Sequence, residues 1–444
     1  MDPVTPACVR TAEPTSLGLL MSGASAQAEV VERAFEELVD TALLRRRGGH
    51  YVWHDLVRIF AAERAFAEDT QEARTAVLEH AGATLLALVE QAHRRHYGGH
   101  FTVLRGLVDL PEIDGSQMFG DEPLGWLDAE LPVLIRAVQQ AADHGLAELA
   151  WSLAMTAVTL FETYGYFDDW RAVSEVALAA CLSAGNARGE GAMLFSLSSL
   201  AIFQQRYDDA CPLVSAALAI FEKIGEDHGR ALALRNAALL DRAGGDLDGA
   251  LRRYAEALGL LRAVGDRAAE AYVLSNMALI HGECGRLDEA DPLLRQALAI
   301  YTQEGVRRGE AQALMRLAEL SLRRGRSEPA LQAYGKARTI VREAHDRIGE
   351  AYVLQGLGEA HLKLGRAGDA ERTLREALDI AAEVGDRLIQ GRARLALGTL
   401  LLESGRPGAA VELERAQALF AEINAEPLRA QAAEALTRIH QTTP

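Results

Sequence analysis

Cysteine is scarce in this sequence, and its cysteines are widely separated. The four are Cys8, Cys181, Cys211 and Cys284, and no two of them stand in a CxxC spacing. A disulfide framework or a structural zinc site needs cysteines in closely spaced sets. The pattern therefore indicates neither kind of scaffold and favours free thiols in a reducing cytosol.

Long apolar runs are also missing. The N-terminal run from Leu17 to Met21 is too short for the hydrophobic region of a signal peptide, although Ala24, Ser25 and Ala26 imitate a cleavage site. No segment reaches the roughly 18 uninterrupted apolar residues that a membrane-spanning helix requires. We therefore expect a cytoplasmic protein without membrane contact.

Positive charge and aromatic side chains are in short supply. The net charge is -17 at pH 7, aromatic residues make up 6% of the chain, and only twelve prolines occur. Nucleic-acid binding needs a basic surface that neutralises phosphates, so we expect no direct contact with nucleic acid. The dominance of alanine, leucine, arginine and glutamate favours stacked helices over sheet.

What the sequence does contain is a repeat with a period of 40 residues. Glycine marks the period, with His345 in the one position that lacks it: Gly185, Gly225, Gly265, Gly305, His345 and Gly385. A second glycine follows 20 residues after each mark, with Gln205 in its place in the first unit: Gly245, Gly285, Gly325, Gly365 and Gly405. Glycine closes helices because it adopts the left-handed conformation without steric cost. The spacing therefore predicts units of two helices joined by a turn.

Alanine and leucine recur at fixed positions within each unit. Alanine stands five residues after the second turn: Ala210, Ala250, Ala290, Ala330, Ala370 and Ala410. Leucine recurs in the first helix, before that turn, at Leu194, Leu234, Leu274, Leu314 and Leu354. A further alanine recurs after the turn, in the second helix, at Ala217, Ala257, Ala297, Ala337 and Ala377. These positions fall at helical spacing and predict the apolar face on which neighbouring helices pack.

The order of these residues resembles the tetratricopeptide repeat (TPR) signature, as in Leu314, Leu317 and Ala318 followed by Ala330, Tyr334 and Ala337. The family's unit usually has 34 residues, so the longer period implies longer helices, as in the repeats of bacterial regulators. We therefore expect an all-α, TPR-type helical solenoid of about six 40-residue repeats. The expected organisation is a flexible N-terminus over 1–28, a winged-helix-like remnant over 29–66, a helical linker with degenerate repeats over 67–184, the TPR array over 185–424, and a capping helix and tail over 425–444.

A second resemblance lies upstream of the repeats. Apolar residues at helical spacing run over 30–44, the stretch 45–50 predicts a turn, the stretch 51–53 predicts a short strand, and a helix is predicted over 54–64. This order predicts a winged-helix-like segment. The phrase from Tyr51 to Arg64 resembles the end of the winged-helix region in STAND-type NB-ARC regulators, especially SARP-type antibiotic regulators with C-terminal TPRs.

In that family a His-Asp pair, matched here by His54 and Asp55, closes over a nucleotide held by the preceding ATPase domain. The resemblance therefore implies an NB-ARC ATPase domain as a partner and a switch role for these two residues. No GxxxxGK[ST] loop occurs in the chain, so we expect no nucleotide binding by the chain alone. Trp53 also departs from the methionine common in the family's motif. Helix capping and packing are the alternative role for His54 and Asp55.

Polar residues recur in register on one face of the first helix of the repeats. Counted from each glycine mark, positions 7, 10, 11 and 14 share this face, and the concave surface of stacked helix pairs is lined by first helices. We select eight of these residues as a ligand-binding groove: Arg235, Asn236, Tyr272, Asn276, Gln312, Arg316, Tyr352 and Gln355. Amides both donate and accept, so Asn236 and Asn276 are suited to hold a peptide backbone. Bridging of neighbouring helices is the alternative.

No catalytic or metal-binding constellation stands out. His93, His96 and His100 would share one face of a continuous helix, but Gly98 and Gly99 interrupt it and no carboxylate or cysteine cluster accompanies them. The serines and cysteines lack the neighbours that nucleophilic catalysis requires. We therefore expect no metal, no cofactor and no enzymatic activity.

These observations predict a regulatory TPR sensor or scaffold that binds a peptide or protein segment. The resemblance implies that the chain is the C-terminal part, or a stand-alone relative, of a STAND/SARP-type transcription regulator. A generic TPR adaptor and a biosynthetic accessory protein or enzyme built on the TPR scaffold are the alternatives.

Overall fold

The structure is a computed structural model that describes residues 15–16, 36–47, 50–97, 104–120, 122–423 and 425–442. The chain divides into two compact units, residues 1–269 and residues 270–444. Most of the predicted flexible N-terminus over 1–28 lies outside the described residues, as does His100 of the histidine triplet.

The first unit begins with a small antiparallel sheet. Its strands are β1 (Thr15–Ser16), β2 (Leu44–Arg47) and β3 (His50–Trp53), in the order β1-β3-β2. The predicted strand is therefore present. The predicted turn over 45–50 is wrong at its start, because residues 45–47 pair with residues 50–52 as part of β2.

Helices of unequal length follow the sheet. Their bounds are α1 (Asp55–Glu68), α2 (Gln71–Tyr97), α3 (Ser116–Phe119), α4 (Pro123–Ala129) and α5 (Leu131–Asp143). Residues 104–115 form neither helix nor strand.

Three helix pairs complete the first unit. We call the first helix of each pair the A helix and the second the B helix. The pairs are α6 (Ala147–Tyr164) with α7 (Phe167–Ala184), α8 (Ala187–Phe203) with α9 (Tyr207–Ile224), and α10 (Asp227–Ala243) with α11 (Leu247–Val264). The α6/α7 pair has the same spacing as the later pairs, since Gly145 and Gly165 precede its two helices in left-handed backbone.

The second unit is built from four helix pairs and a last helix, and the first three residues of its first helix, α12, precede the boundary at residue 270. The pairs are α12 (Arg267–Glu283) with α13 (Leu287–Glu304), α14 (Arg307–Arg323) with α15 (Ser327–Glu343), α16 (Arg347–Lys363) with α17 (Ala367–Glu383), and α18 (Arg387–Glu403) with α19 (Ala409–Glu422). Helix α20 (Glu426–Thr442) follows them, where the sequence predicts a capping helix.

Left-handed residues terminate the helices at the predicted positions. Gly185 has φ 65° and Gly225 has φ 70°. The two positions without glycine adopt the same backbone, because Gln205 has φ 58° and His345 has φ 53°. The spacing therefore identified the backbone conformation correctly even where another residue bears its steric cost.

The recurrent alanines lie in the core, with one shift of register. Ala210, Ala250 and Ala330 are fully buried. In the last pair, however, the prediction of Ala410 is wrong, since the buried alanine is Ala409 at 7% exposure. The left-handed Gly408, φ 98°, immediately precedes α19 and sets this start of the helix.

Large and small side chains compensate each other between helices. Gly229 lies under the ring of the buried Phe221, and an ideal Cβ built on Gly229 would lie 2.5 Å from a ring carbon. Forty residues later the same two positions hold Leu261 and Ala269, both buried. A smaller side chain on the B helix thus accompanies a larger one on the next A helix, which keeps the packed volume nearly constant.

Candidate ligand-binding site

The A helices of the first unit hold a non-helical segment of the chain itself. The carboxylate of Glu148 on α6 accepts a hydrogen bond from the backbone N–H of Leu107 at 2.6 Å. The guanidinium of Arg188 on α8 donates to the backbone carbonyl of Arg105. A glutamate on one A helix and an arginine on the next therefore bind backbone groups on either side of a single residue, Gly106.

The fit around Gly106 is close. An ideal Cβ at this residue would lie 2.0 Å from Oγ of Ser152, which stands seven residues after Gly145. Gln91 on α2 holds the far end of the segment, because its amide donates to the carbonyl of Ile113 at 2.6 Å and accepts from the N–H of Gly115 at 3.0 Å. The segment 104–115 is thus fixed by contacts to its backbone.

The second unit contains an open cavity of about 480 Å³. It is lined by residues of three A helices, of α15 and of α20: Glu319, Leu322, Arg323, Tyr334, Gln355, Glu359, Leu362, Lys363, Arg392, Leu395, Ala396, Thr399, Leu428 and Gln431. Its size falls in the range of small-ligand pockets, and its wall combines leucines with a few polar groups.

Two carboxylates face this cavity. Desolvation raises the pKa of Glu319, and the positive charge of Arg392 partly opposes the shift. Desolvation also raises the pKa of Glu359, against a hydrogen bond from Gln355, whose amide donates to Oε1 of Glu359 at 2.5 Å. Because Glu319 is exposed and Glu359 is half-buried, the cost of keeping a charge falls mainly on Glu359.

Arg392 and Tyr334 add unused hydrogen-bonding capacity. Within the described part of the chain, the half-buried guanidinium of Arg392 has no carboxylate within 4.0 Å and no hydrogen bond to the protein. Tyr334 is 2% exposed, and its hydroxyl has no hydrogen-bond partner among those residues. Because both side chains line the cavity, these two groups are candidates for contact with a ligand.

The two predicted groove asparagines already use their amide donors inside the protein. The amide of Asn236 on α10 donates to Oγ of Ser198 at 3.1 Å and of Ser199 at 2.9 Å, both on α8. The amide of Asn276 donates to the carbonyl of Tyr272, one turn earlier in the same helix, at 2.9 Å. Both asparagines are buried, at 3% and 4% exposure, and only Asn236 links two helices. A ligand role for the two asparagines remains a prediction.

The predicted arginines also have partners within the repeats. Arg235 lies with its guanidinium 5.7 Å from the centre of the Phe195 ring, a cation–π distance. Arg316 donates to the carbonyl of Ser275 at 2.7 Å. Arg323 makes the same kind of bond to Gly282 at 2.8 Å, so these side chains fasten one A helix to the preceding one.

The structure brings one of the remaining predicted residues into the cavity. Gln355 lines it and is 5% exposed. Gln312 is exposed, while Tyr272 and Tyr352 are half-buried, and none of these three is among the lining residues. A ligand role for them remains a prediction.

Sequence reasoning missed the two glutamates. Glu319 and Glu359 both stand at position 14 after their marks, on the face that holds the predicted groove. Their 40-residue separation was the signal. The sequence alone does not distinguish these two glutamates from the many others on solvent-facing helix surfaces, which pair with arginines.

The His-Asp pair lies at the start of α1. His54 is the exposed residue before the helix and makes no capping hydrogen bond through its side chain. Asp55 is the first residue of the helix. Leu56 and Phe60 on the same helix are 73% and 62% exposed, so part of the apolar surface of α1 is uncovered. The switch role of the pair remains a prediction.

In the portion of the chain that the structure describes, no group of three or more metal-ligating side chains converges. Within it, no helix combines the length and apolar character needed to cross a bilayer.

Comparison with known proteins relates the chain to regulators. It is 27% identical over 273 residues to the regulatory protein AfsR of Streptomyces griseus. That match covers 50% of this chain and 27% of AfsR, so the matched half of the chain corresponds to about a quarter of that protein.

Two solved structures share the fold. A signal transduction ATPase with numerous domains (STAND) from Pyrococcus horikoshii, which has a tetratricopeptide repeat sensor, matches with a TM-score of 0.54 at 14% identity, over 94% of this chain and 64% of its own. A Rap protein complexed with competence and sporulation factor matches with a TM-score of 0.50 at 17% identity, over 84% of this chain and 98% of its own.

The profile of the tetratricopeptide repeat family matches residues 190–263, 268–343 and 347–422. These three segments make up just over half of the sequence, and their helix pairs and turn residues are those seen in the structure. The chain therefore belongs to the tetratricopeptide repeat family.

Proposed function

We propose that this protein is a regulatory sensor that binds a peptide or protein segment on the inner face of its A helices, the face that carries positions 7, 10, 11 and 14. The observation that carries the proposal is the internal segment 104–115. Glu148 and Arg188, which stand three residues after Gly145 and Gly185 and one helical turn before position 7, form hydrogen bonds to its backbone, and Gly106 between these two contacts has no room for a side chain. A face that binds one non-helical segment by its backbone is suited to bind another.

The second unit supplies a free surface of this kind. Its cavity lies on the same face of α14, α16 and α18 and contains Arg392 and Tyr334, whose side chains form no hydrogen bond to the residues that the structure describes. We favour a binding role, because the Arg392 guanidinium and the Tyr334 hydroxyl in the lining can form hydrogen bonds to a ligand.

The regulatory part of the proposal rests on similarity. The matched relative is named a regulatory protein, and one structural neighbour joins a TPR sensor to a signal transduction ATPase. We propose by analogy that this chain senses a ligand in the cytoplasm and relays its presence to an NB-ARC-type ATPase domain.

The test is a selection for peptide ligands. The immobilised full chain is presented with a phage library of random dodecapeptides, and retained sequences are synthesised and measured by calorimetry. We expect a shared sequence pattern and micromolar binding, which Gln312→Ala combined with Tyr352→Ala weakens. The matched control is Glu414→Gln on α19, an exposed residue outside the cavity.

Two results would overturn the proposal. One is a selection in which no sequence is enriched over beads without protein. The other is a set of peptides whose affinity is unchanged by substitutions on the inner face of both units.

A further inference from the structure

The turn between an A helix and its B helix usually carries an arginine. In five helix pairs the residue after the left-handed residue of this turn is Arg206, Arg286, Arg326, Arg366 or Arg406. Arg206 pairs with Asp209, three residues later, at 2.7 Å. Arg286 pairs in the same way with Glu289, at 3.5 Å. These turns therefore supply their own cation to an acid in the first turn of the B helix.

The turn between α6 and α7 departs from this pattern. Tyr166 stands at the position of the arginine, and Asp169 stands at the position of the acid. Asp168 is exposed and Asp169 is half-buried. Neither has an ion-pair partner within 4.0 Å among the residues that the structure describes. The acid is thus present without its arginine, and it is open to a cation from another molecule.

Two stacked rings lie beside these carboxylates. The ring centres of Tyr164 and Tyr166 are 5.5 Å apart, with 18° between the ring planes, and Tyr164 is 40% exposed. The hydroxyl of Tyr166 donates to Oδ1 of Asp128 on α4 at 2.8 Å. This bond raises the pKa of Tyr166, and the negative charge of Asp169 adds to the shift. The tyrosines and the two carboxylates therefore share one surface.

A second ring pair extends this surface to the next turn. The ring centre of Phe167 lies 5.3 Å from that of Phe203, at the end of α8. Phe203 is 47% exposed, and Tyr207 at the start of α9 is 40% exposed. The positions that correspond to Phe203 and Tyr207 in the α10/α11 turn hold Ala243 and Leu247. The helix dipole favours acids in the first turn of a B helix, but it does not account for exposed aromatic rings.

The charge around the rings is negative. Burial raises the pKa of Tyr164, and the negative charge of Glu122 adds to the shift. The arginines of this surface are engaged, because Arg171 and Arg206 both donate to Oε1 of Gln204, at 3.4 Å and 3.1 Å. A positively charged partner is therefore complementary to the surface.

Rings next to carboxylates favour arginine over lysine. A guanidinium stacks on an aromatic face and donates two parallel hydrogen bonds to a carboxylate, whereas an ammonium is more strongly hydrated. The protein uses this combination within the first unit: Arg188 lies 5.6 Å from the centre of the Trp151 ring and pairs with Glu226 at 2.7 Å.

We propose that the surface formed by the α6/α7 and α8/α9 turns docks an arginine-rich segment of a partner protein. One guanidinium stacks on the Tyr164–Tyr166 pair and binds Asp169, as the arginine of the other turns does from within the chain. The surface is formed by turns and not by the inner face of the A helices, so this inference is independent of the proposed function.

The probe is a peptide of alternating glycine and arginine with three arginines, acetylated and amidated, and its lysine counterpart. Binding to the full chain is measured by calorimetry at about 0.15 M salt, which screens non-specific attraction. Tyr166→Arg supplies the missing arginine beside Asp169 and should weaken binding about 10-fold, and Asp169→Asn should weaken it about 3-fold. The matched control is Asp248→Asn, which makes the same change in net charge at an exposed position of α11, in a turn without these rings.

Asp248→Asn should leave the affinity within about 2-fold of wild type, and the lysine peptide should bind about 3-fold more weakly than the arginine peptide. The inference is wrong if wild type does not bind the arginine peptide, if Tyr166→Arg weakens binding no more than Asp248→Asn, or if the lysine peptide binds equally well. Circular dichroism checks folding, and Tyr164→Ser removes a stacking ring should Tyr166→Arg not fold. A wild-type dimer that Tyr166→Arg dissociates in sedimentation equilibrium would show that a second copy of this chain is the occupant, against the proposal. None of these results affects the peptide selection on the inner face.

Discussion

The compensation between Phe221 and Gly229 provides a quantitative test of how the repeats pack. Gly229→Ala would place a methyl group 2.5 Å from the Phe221 ring, closer than carbon atoms approach in folded proteins. Overpacking of this kind costs about 1–3 kcal/mol. The gain in helix propensity from glycine to alanine returns about 1 kcal/mol. We therefore expect a net loss of stability of roughly 1 kcal/mol.

The partner substitution should rescue this loss. Phe221→Leu alone should cost about 1–2 kcal/mol, because it removes buried ring contacts. The double variant copies Leu261 and Ala269 from the next repeat, where both are buried. The steric conflict then disappears while the propensity gain remains. The double variant should therefore be more stable than the sum of the single changes by about 1–3 kcal/mol, which is the overpacking energy itself.

The assay must follow this part of the array, since repeat proteins need not unfold as one unit. Urea unfolding by circular dichroism gives the overall change, and amide hydrogen exchange in α9 and α10 gives the local one. The reverse cycle, Leu261→Phe with Ala269→Gly, is the matched control and should show coupling of the same sign. If the two single effects add within about 0.5 kcal/mol in both cycles, the compensation argument is refuted.

Three further predictions concern backbone strain and charge. His345→Gly should raise the free energy of urea unfolding and Gly385→His should lower it, each by about 1 kcal/mol, because both positions have left-handed backbone, and equal signs would contradict this. Glu359→Gln should raise the melting temperature near pH 7 and lose this advantage below pH 4.5, since a raised pKa means that deprotonation above the ordinary value of 4.5 destabilises the fold. Glu371→Gln should lower the stability at pH 7. Hydrogen bonds from Arg406 and Arg375 lower the pKa of Glu371 to about 2, so the stabilisation by its carboxylate is present above pH 4.5 and is lost as the pH falls towards 2. Urea midpoints between pH 2 and 7 test the last, and a constant difference from wild type would count against it.

Periodicity made the fold predictable, because a turn that closes a helix needs the same backbone in every unit. This is why even Gln205 and His345 could be assigned to turn positions. The exceptions arose where a local feature changed the register: the left-handed Gly408 moves the buried position of the last pair from Ala410 to Ala409. The strand at residues 45–47 was not predicted, because strand pairing depends on a partner strand that composition does not reveal.

The candidate site was less predictable than the fold. The period placed Asn236 and Asn276 on the right face but did not tell whether their amides were already used by Ser198, Ser199 or a backbone carbonyl. Glu359 looks like any surface glutamate in the sequence, and only the surrounding helices reveal its desolvation. Which polar groups remain unpaired is decided by tertiary contacts, which repeat spacing alone does not contain.

The segment held by Glu148 and Arg188 has a consequence for competition. Because it is tethered to the same chain, it is present at its binding surface at an effective concentration on the order of millimolar. A free peptide at micromolar concentration would need roughly a thousandfold higher affinity to displace it. The covalent connection thus makes this surface of the first unit unresponsive to ordinary concentrations of a free peptide.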